Sequence, residues 1–319
     1  MVDFMNNRNL SSTDRGILEL VKAIPQLREA VQIERISKGY SLDHKFKMEV
    51  PGEGNVLLRI FPYRDMEGKQ KEIHILESLK KMGVLCSTPL GIGRLDDNNG
   101  YMIVSYLEGE DAAEALPLMS AQQQYSIGMR AGAELRRIHQ LPIEKQEESW
   151  YTRKSMKHQR YVERYQACPI VMGNDQHILH FIDDHLEWMK GRPDGFQHDD
   201  FHPANLVVNN GELAGVIDFN RADQGDPVHE FLKLGLFATE VSIPYSIGQV
   251  QGYFEGHDPD EEFWNLYSLY MAMALVSSVV WIQNVKPEET DQMMMKIERV
   301  REDHDDFRSV IPSWYTLNK

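Results

Sequence analysis

Asn210-Gly211 stands between two apolar runs, Leu206-Val207-Val208-Asn209 and Glu212 to Phe219, and no other feature of the sequence narrows the local fold as far. Both residues of a two-residue hairpin turn need positive φ, which asparagine and glycine tolerate, so the pair predicts a β-hairpin. With that loop Asn209 faces Glu212, Asn205 stands opposite Val216, and Asp218 lies two residues further along the same face. Diagonal neighbours of this kind are roughly 7–8 Å apart at the backbone. Asp200 precedes Asn205 in a loop fixed by Pro203, so Asp200, Asn205 and Asp218 are expected to gather oxygens at one strand end. A hard cation such as Mg²⁺ needs few protein oxygens where phosphates supply the rest. Asparagine and one aspartate then suffice as ligands, and Asp200 is left to accept a proton from an attacking hydroxyl. A base plus two metal ligands is the division of labour that phosphoryl transfer requires.

The flanking sequence changes pattern along its length. Val31 to Ser37, His44 to Val50, Val56 to Phe61, Thr88 to Arg94 and Tyr101 to Leu107 read as strands separated by turn residues such as Pro51-Gly52-Glu53-Gly54. Asp65 to Met82 carries Ile73, Leu76, Leu79 and Met82 at helical spacing, with Gly83 at the capping position. Beyond Leu107-Glu108-Gly109-Glu110-Asp111 the chain turns mainly helical. Ser120 with Gln123 makes a capping box, and helical patterns run over 155–166, 176–190, 228–239, 246–254 and 261–285. The expected fold class is α+β: a small β-rich N-terminal lobe over 1–107, a larger mainly helical C-terminal lobe over 108–319, and a ligand cleft between them.

Composition serves mainly to exclude. The 319 residues hold 34 Lys and Arg against 49 Asp and Glu, a formal charge of −15. That balance predicts no nucleic-acid partner, because phosphate contacts need a basic face, and it tilts the expected partner towards a cationic small molecule. Two cysteines make neither a disulfide framework nor a zinc site. Leu266 to Ile282 carries no charge and approaches the length of a membrane span. Acidic residues precede it and polar residues interrupt it, so it reads as a buried helix and no membrane association is expected. Met1 to Asn7 lacks the basic stretch and apolar run of a secretory signal, and a cytoplasmic location is the expectation.

His198-Asp199-Asp200-Phe201-His202-Pro203-Ala204-Asn205 fits H-x-D-x-x-x-x-N, Ile217-Asp218-Phe219-Asn220 stands where kinases carry D-F-G, and Gly225-Asp226-Pro227 follows. The set resembles the aminoglycoside phosphotransferase and choline kinase-like family, small-molecule kinases with a bilobal protein-kinase-like fold. The resemblance implies ATP or GTP as phosphoryl donor, Mg²⁺ as cofactor, and a small-molecule acceptor bearing a hydroxyl, with aminoglycosides and choline among the family's acceptors. It makes Asp200 the catalytic base, Asn205 and Asp218 the Mg²⁺ ligands, and His198 a brace for the loop. Arg59 takes the place of the strand lysine that touches nucleotide phosphates, and Glu72 matches the helix glutamate that pairs with it. Backbone groups of Ser105 and Leu107 correspond to those that bond the adenine edge. Gly39, Ser41 and Lys45 are the candidates for phosphate contacts, in a loop with one glycine where protein kinases have three. Two further departures stand out: Asp199 replaces the usual glycine before the base, and Arg59 replaces lysine, with a different donor geometry.

Other readings stay open on the residues alone. His198, Asp200 and His202 form H-x-D-x-H, which permits a metal-dependent hydrolase. Asp199 and the glycine-poor loop are compatible with a low-activity, nucleotide-binding regulatory module of the same fold. His177, His180 and His185 read as a solvated helix face, and Asp226 before Pro227 reads as a helix N-cap.

Overall fold

Strand alternation builds the N-terminal sheet. Strands β1 (Gln32–Ile36), β2 (His44–Val50), β3 (Gly54–Pro62), β4 (Pro89–Arg94) and β5 (Asn99–Ser105) lie in the order β1-β2-β3-β5-β4, each pair antiparallel. Phe46, Met48, Val56, Leu58 and Ile60 share one buried face, as every second residue of a strand must. Burying side chains of this size contributes about 1.5–3 kcal/mol each. Lys45 pairs with Arg59 in the β2–β3 register, so both project from the opposite face. The turn before β3 holds Gly52 and Gly54 at φ 84° and 82°, left-handed values that glycine adopts without strain. Helix α1 (Met66–Lys81) buries Ile73, Leu76 and Leu79 and stops at Gly83, whose φ of 77° lets the Val84 amide reach the Leu79 carbonyl.

This computed structural model describes residues 16, 19–37 and 43–316; Gly39 and Ser41 lie outside the described residues. It is a mixed α+β structure, with sheet in its N-terminal region and helix in its C-terminal region. Two compact units divide it: Met1–Glu108 with Ala214–Asn220, and Gly109–Leu213 with Arg221–Lys319. The segment 214–220 joins the first unit through the Val216 amide, which donates to the Leu85 carbonyl at 2.8 Å.

The second unit contains β6 (Glu110–Asp111), α2 (Ala121–Ile138), α3 (Trp150–Gln166), α4 (Asp175–His185), β7 (Gly195–Gln197), β8 (Leu206–Asn209), the start of β9 (Glu212–Val216), β10 (Asp223–Gly225), α5 (Ile243–Tyr253), α6 (Glu261–Val285) and α7 (Thr290–Asp303). Helix α2 begins with the expected capping box of Ser120 and Gln123. It packs on α5 almost backbone to backbone: a Cβ at Gly128 would lie 2.1 Å from the Tyr245 carbonyl oxygen, and one at Gly252 would lie 2.0 Å from that of Met129. Helix α6 is long and apolar enough to cross a membrane by length and composition. Its side chains from Phe263 to Val276 are nearly all buried within the unit, as the sequence reading of a core helix requires.

Two expectations meet a different backbone. The run 228–239, read as one helix, is a 3₁₀ segment Pro227–Phe231, a π-helical turn Leu234–Ala238 and a short helix Thr239–Val241. The hairpin forms around Asn210 and Gly211, at φ 51° and 79°, but its strands stop short of the chemistry. Asn205 closes a 3₁₀ turn, Pro203–Asn205, and Asp218 lies beyond β9 at φ 71°. Strand alternation therefore does not aim these two side chains; a tight turn aims the first and a left-handed residue aims the second.

Candidate active site

Arg59 on β3 is 5% exposed and would be costly to bury alone. Its Nη1 donates to Glu72 Oε1 of α1 at 2.7 Å, and its Nε donates to Asp43 Oδ2 at 2.8 Å. Lys69, one helical turn before Glu72, donates to the same Asp43 oxygen at 2.8 Å and lies 3.5 Å from Glu72 Oε2. Two cations and two carboxylates thus satisfy one another inside the first unit. Burial raises the Asp43 carboxyl, but Arg59 and Lys69 outweigh it and hold its pKa below the usual range. For Arg59, burial pulls the pKa down, while Glu72 and Asp43 pull harder and raise it. Lys45, its cross-strand neighbour, is held below the usual lysine range, chiefly by burial, with Asp218 opposing.

Asp218 therefore acts on both Lys45 and Arg59 within the first unit. Its Oδ1 accepts from Asn220 Nδ2 at 2.8 Å, and its Oδ2 has no protein partner among the described residues. Of the residues expected from sequence, this unit brings together Arg59, Glu72, Lys45 and Asp218, and it adds Asp43 and Lys69. Ser105 and Leu107 follow at the end of β5. The Ser105 amide donates to the Thr88 carbonyl at 2.8 Å, and the Thr88 amide returns a bond to Ser105 Oγ. The Leu107 amide has no protein acceptor among the described residues.

In the second unit, the loop from His198 to Asn205 is fixed from beneath. His198 is fully buried, and its Nδ1 accepts the Asp200 amide at 3.3 Å. Asp199 sits at φ 60°, a left-handed conformation that explains why glycine suits this position and that aspartate tolerates better than bulky residues. Glu230, 2% exposed, accepts the Asp199 amide at 3.0 Å and the Phe201 amide at 3.2 Å. Burial raises the Glu230 carboxyl; His139, His198 and the Asp199 amide prevail and keep it ionised. His139 is itself held by Tyr253, whose hydroxyl lies 2.8 Å from Nδ1.

Asp200 emerges from this support with Oδ1 3.0 Å from Lys233 Nζ and 3.5 Å from His202 Nε2. Burial opposes ionisation, but His202 and Lys233 hold its pKa far below the ordinary carboxyl range. Its Oδ2 has no protein partner among the described residues. Asn205 Nδ2 donates to the Asp200 carbonyl at 2.8 Å, which leaves Asn205 Oδ1 without a protein partner among the described residues. An amide oxygen and a carboxylate oxygen are the hard donors that Mg²⁺ accepts, so Asn205 Oδ1 and Asp218 Oδ2 each suit that ion. The H-x-D-x-H alternative finds no such support. Among the described residues no group of three His, Cys, Asp or Glu side chains is arranged for a metal ion, and His198 turns Nδ1 to the Asp200 amide.

Sequence reasoning missed Glu230, Lys233, Lys69 and Asp43. Lys69 had a signal, since it precedes Glu72 by one turn of an evident helix. Lys233 had none, because its partner Asp200 lies 33 residues earlier in the chain. Lys154 of α3 is another such residue: its Nζ lies 2.7 Å from His229 Nε2, and burial foremost brings its pKa down to about 7. Asp226 has the capping role read from sequence, accepting the Val228 amide at 3.0 Å, and is also clamped by Arg192 at 2.8 and 3.1 Å.

A family model described as the phosphotransferase enzyme family matches residues 32–266. No curated protein matches the chain. Among solved structures, it is similar to a thermostable mutant of aminoglycoside phosphotransferase APH(4)-Ia in ternary complex with AMP-PNP and hygromycin B, with a TM-score of 0.65 and 17% identity over 91% of this chain and 98% of that one. It is also similar to the GDP complex of aminoglycoside 2'-phosphotransferase-IIIa, with a TM-score of 0.69 and 15% identity over 92% and 99% of the two chains. At this identity the likeness shows a common fold, that of the aminoglycoside phosphotransferases.

Proposed function

The chain belongs to the phosphotransferase enzyme family, and on that premise we propose that it moves the γ-phosphoryl group of ATP or GTP to a hydroxyl of a small molecule. The observation that carries this reading is Asp200: one carboxylate oxygen is held by Lys233 and His202, and the other has no protein partner among the described residues. That second oxygen accepts a hydrogen bond from the acceptor hydroxyl and orients it. As the acceptor oxygen forms its bond to the γ-phosphorus, the bond to the β–γ bridging oxygen breaks, leaving the nucleoside diphosphate, and the hydroxyl proton passes to Asp200 late in that step. A base at this point serves mainly to orient the hydroxyl, since the transition state of phosphoryl transfer is loose and demands little proton abstraction at its start. A strongly acidic Asp200 suits that task, being ionised at every working pH.

Asn205 and Asp218 are the residues assigned to Mg²⁺, which when bound neutralises charge on the phosphates. Arg59 is assigned to the phosphates, with Lys45 beside it. In this structure the Arg59 guanidinium is occupied by Asp43 and Glu72. Contact with phosphate therefore requires Asp43 to yield, while Glu72 keeps the arginine in place. The Ser105 carbonyl and the Leu107 amide are the acceptor and donor assigned to the base of the nucleotide.

An amine-bearing acceptor is favoured. The formal charge of −15 draws cations to the protein, and one structural relative is bound to hygromycin B beside AMP-PNP. The test is nucleotide consumption by purified protein across aminoglycosides, choline, sugars and hydroxy amino acids, with and without Mg²⁺. Mg²⁺-dependent consumption stimulated by one acceptor class is expected. Tight nucleotide binding with no consumption on any acceptor would instead identify a regulatory module.

A further inference from the structure

We propose that Lys233 is a positioning residue for Asp200, delivered by the π-helical turn that follows it, and that it offsets the carboxylate Asp199 adds to the loop. The inference rests on the reading of Asp200 as the base. Lys233 Nζ lies 3.0 Å from Asp200 Oδ1, and both side chains are largely sheltered from solvent. Since His202 Nε2 approaches the same oxygen, Oδ2 is the one turned to an incoming hydroxyl.

The backbone that carries Lys233 is built for this placement. A π-helical turn is rare, is costly in hydrogen bonding, and recurs at functional sites. Here the turn is Leu234–Ala238. Gly235 permits it, because a Cβ there would lie 2.6 Å from Met271 Cε and 2.8 Å from the Tyr267 hydroxyl of α6. Arg299 of α7 holds its carbonyls from outside, with Nη2 2.6 Å from Gly235 O and 3.2 Å from Leu236 O. Phe237, on the same turn, places its ring 5.6 Å from Lys233 Nζ and 5.5 Å from the His202 ring, between the two groups that hold Asp200. Helices α6 and α7 thus pack against the turn that Lys233 precedes.

The local charge explains why an ammonium is needed. Asp199 stands where the family pattern has glycine, so it adds a carboxylate beside Asp200 and above the buried Glu230. Burial and Glu230 drive the Asp199 pKa up to about 6, while Lys233 and Lys157 oppose them. Among the described residues, the titratable groups beside Asp200 are His198, Asp199 and His202 of its own loop and Lys233, which precedes the turn. Lys233 is the one constant cation in that set.

The test measures Mg²⁺-nucleotide turnover by Lys233→Met, Lys233→Arg and the double variant Lys233→Met/Asp199→Gly, with the best acceptor from the panel, or with water if hydrolysis is the only turnover. Misplacing the base predicts a fall in kcat of about 100-fold for Lys233→Met. The KM for nucleotide should stay within about threefold, because only the chemical step depends on the base. Lys233→Arg should recover much of the loss, and Asp199→Gly should recover part of it by removing the charge that Lys233 offsets. Thermal midpoints identify any variant that fails to fold, in which case Lys233→Gln replaces the methionine variant. Wild-type turnover that Lys233→Met leaves intact overturns this inference alone. A wild-type protein that consumes no nucleotide with any acceptor overturns the kinase reading and this inference with it.

Discussion

The side-chain amide of Asn205 donates to the backbone carbonyl of Asp200 across 2.8 Å, so the residue assigned to the metal also sets the course of the chain at the residue assigned to the base. Replacing Asn205 with Asp removes the donor and opposes a carboxylate to a carbonyl. Loss of a hydrogen bond that leaves a sheltered carbonyl unsatisfied costs about 1–3 kcal/mol. Asn205→Asp should therefore lower the thermal midpoint and also reduce turnover, even though aspartate is the better Mg²⁺ ligand. Calorimetry and a Mg²⁺ titration of activity check this; a variant with wild-type turnover and a stronger response to Mg²⁺ would show that the donor is dispensable.

Arg59, Glu72, Asp43 and Lys69 form a buried set in which every charge has a partner. Breaking a buried pair by removing one member leaves an uncompensated charge and costs about 3–5 kcal/mol. Glu72→Ala should accordingly destabilise the protein more than Arg59→Met/Glu72→Met, which removes both charges while retaining bulk. Urea denaturation of the two variants gives the comparison, and equal or reversed stabilities would contradict it.

Asp43 shares Arg59 with the phosphates in the proposed mechanism. Asp43→Asn weakens its hold on the guanidinium and should tighten nucleotide binding by about 3–10-fold, roughly 1 kcal/mol. Isothermal titration with a non-hydrolysable ATP analogue measures this directly. Weaker binding would mean that Asp43 organises the site for nucleotide and does not compete with it.

Asp199 makes stability depend on pH in a stated direction. Its folded-state pKa is raised from 3.8 to about 6, chiefly by burial and then by Glu230. Between these values the folded protein binds more protons at this residue than the unfolded chain, so its contribution to stability falls as pH rises from about 4 to 6. Above that window the full penalty is present. Asp199→Asn keeps a residue that tolerates positive φ and removes the charge, so it should stabilise the protein at pH 7.5 by about 1–3 kcal/mol. The advantage should vanish near pH 4. Denaturation at the two pH values checks it, and a gain that is the same at both would place its origin elsewhere.

Much of the architecture can be read in the sequence because its signals are local. Gly83 after an apolar period, Ser120 with Gln123, and Asn210-Gly211 between valine-rich runs each fix an element boundary by backbone chemistry alone. Arg59 and Glu72 were recognisable from resemblance, and the sheet register and helix α1 place them 2.7 Å apart. What sequence could not supply depends on packing between distant segments. The π-helical turn at Leu234–Ala238 exists because Gly235 meets Met271 and Tyr267 and because Arg299 takes its carbonyls, and no window around residue 235 contains those partners. Lys233, the residue that precedes that turn, meets in Asp200 a partner 33 positions earlier in the chain. Glu230 likewise looks like one more acidic residue until the loop amides of Asp199 and Phe201 are found bonded to it. Strand alternation was the wrong device for Asp218, whose φ of 71° lies outside any strand.

The central claim is that Asp200 receives the proton of an acceptor hydroxyl during phosphoryl transfer. The most direct measurement is ³¹P NMR of ATP, Mg²⁺ and the best acceptor from the panel, with wild-type protein and Asp200→Ala in parallel, alongside calorimetric nucleotide affinity for both. The account predicts a new phosphate-ester resonance growing with ADP for the wild type. For Asp200→Ala it predicts turnover lower by about 100-fold or more, with nucleotide affinity within a few-fold. Appreciable ester formation by Asp200→Ala, at a rate near that of the wild type, would contradict it.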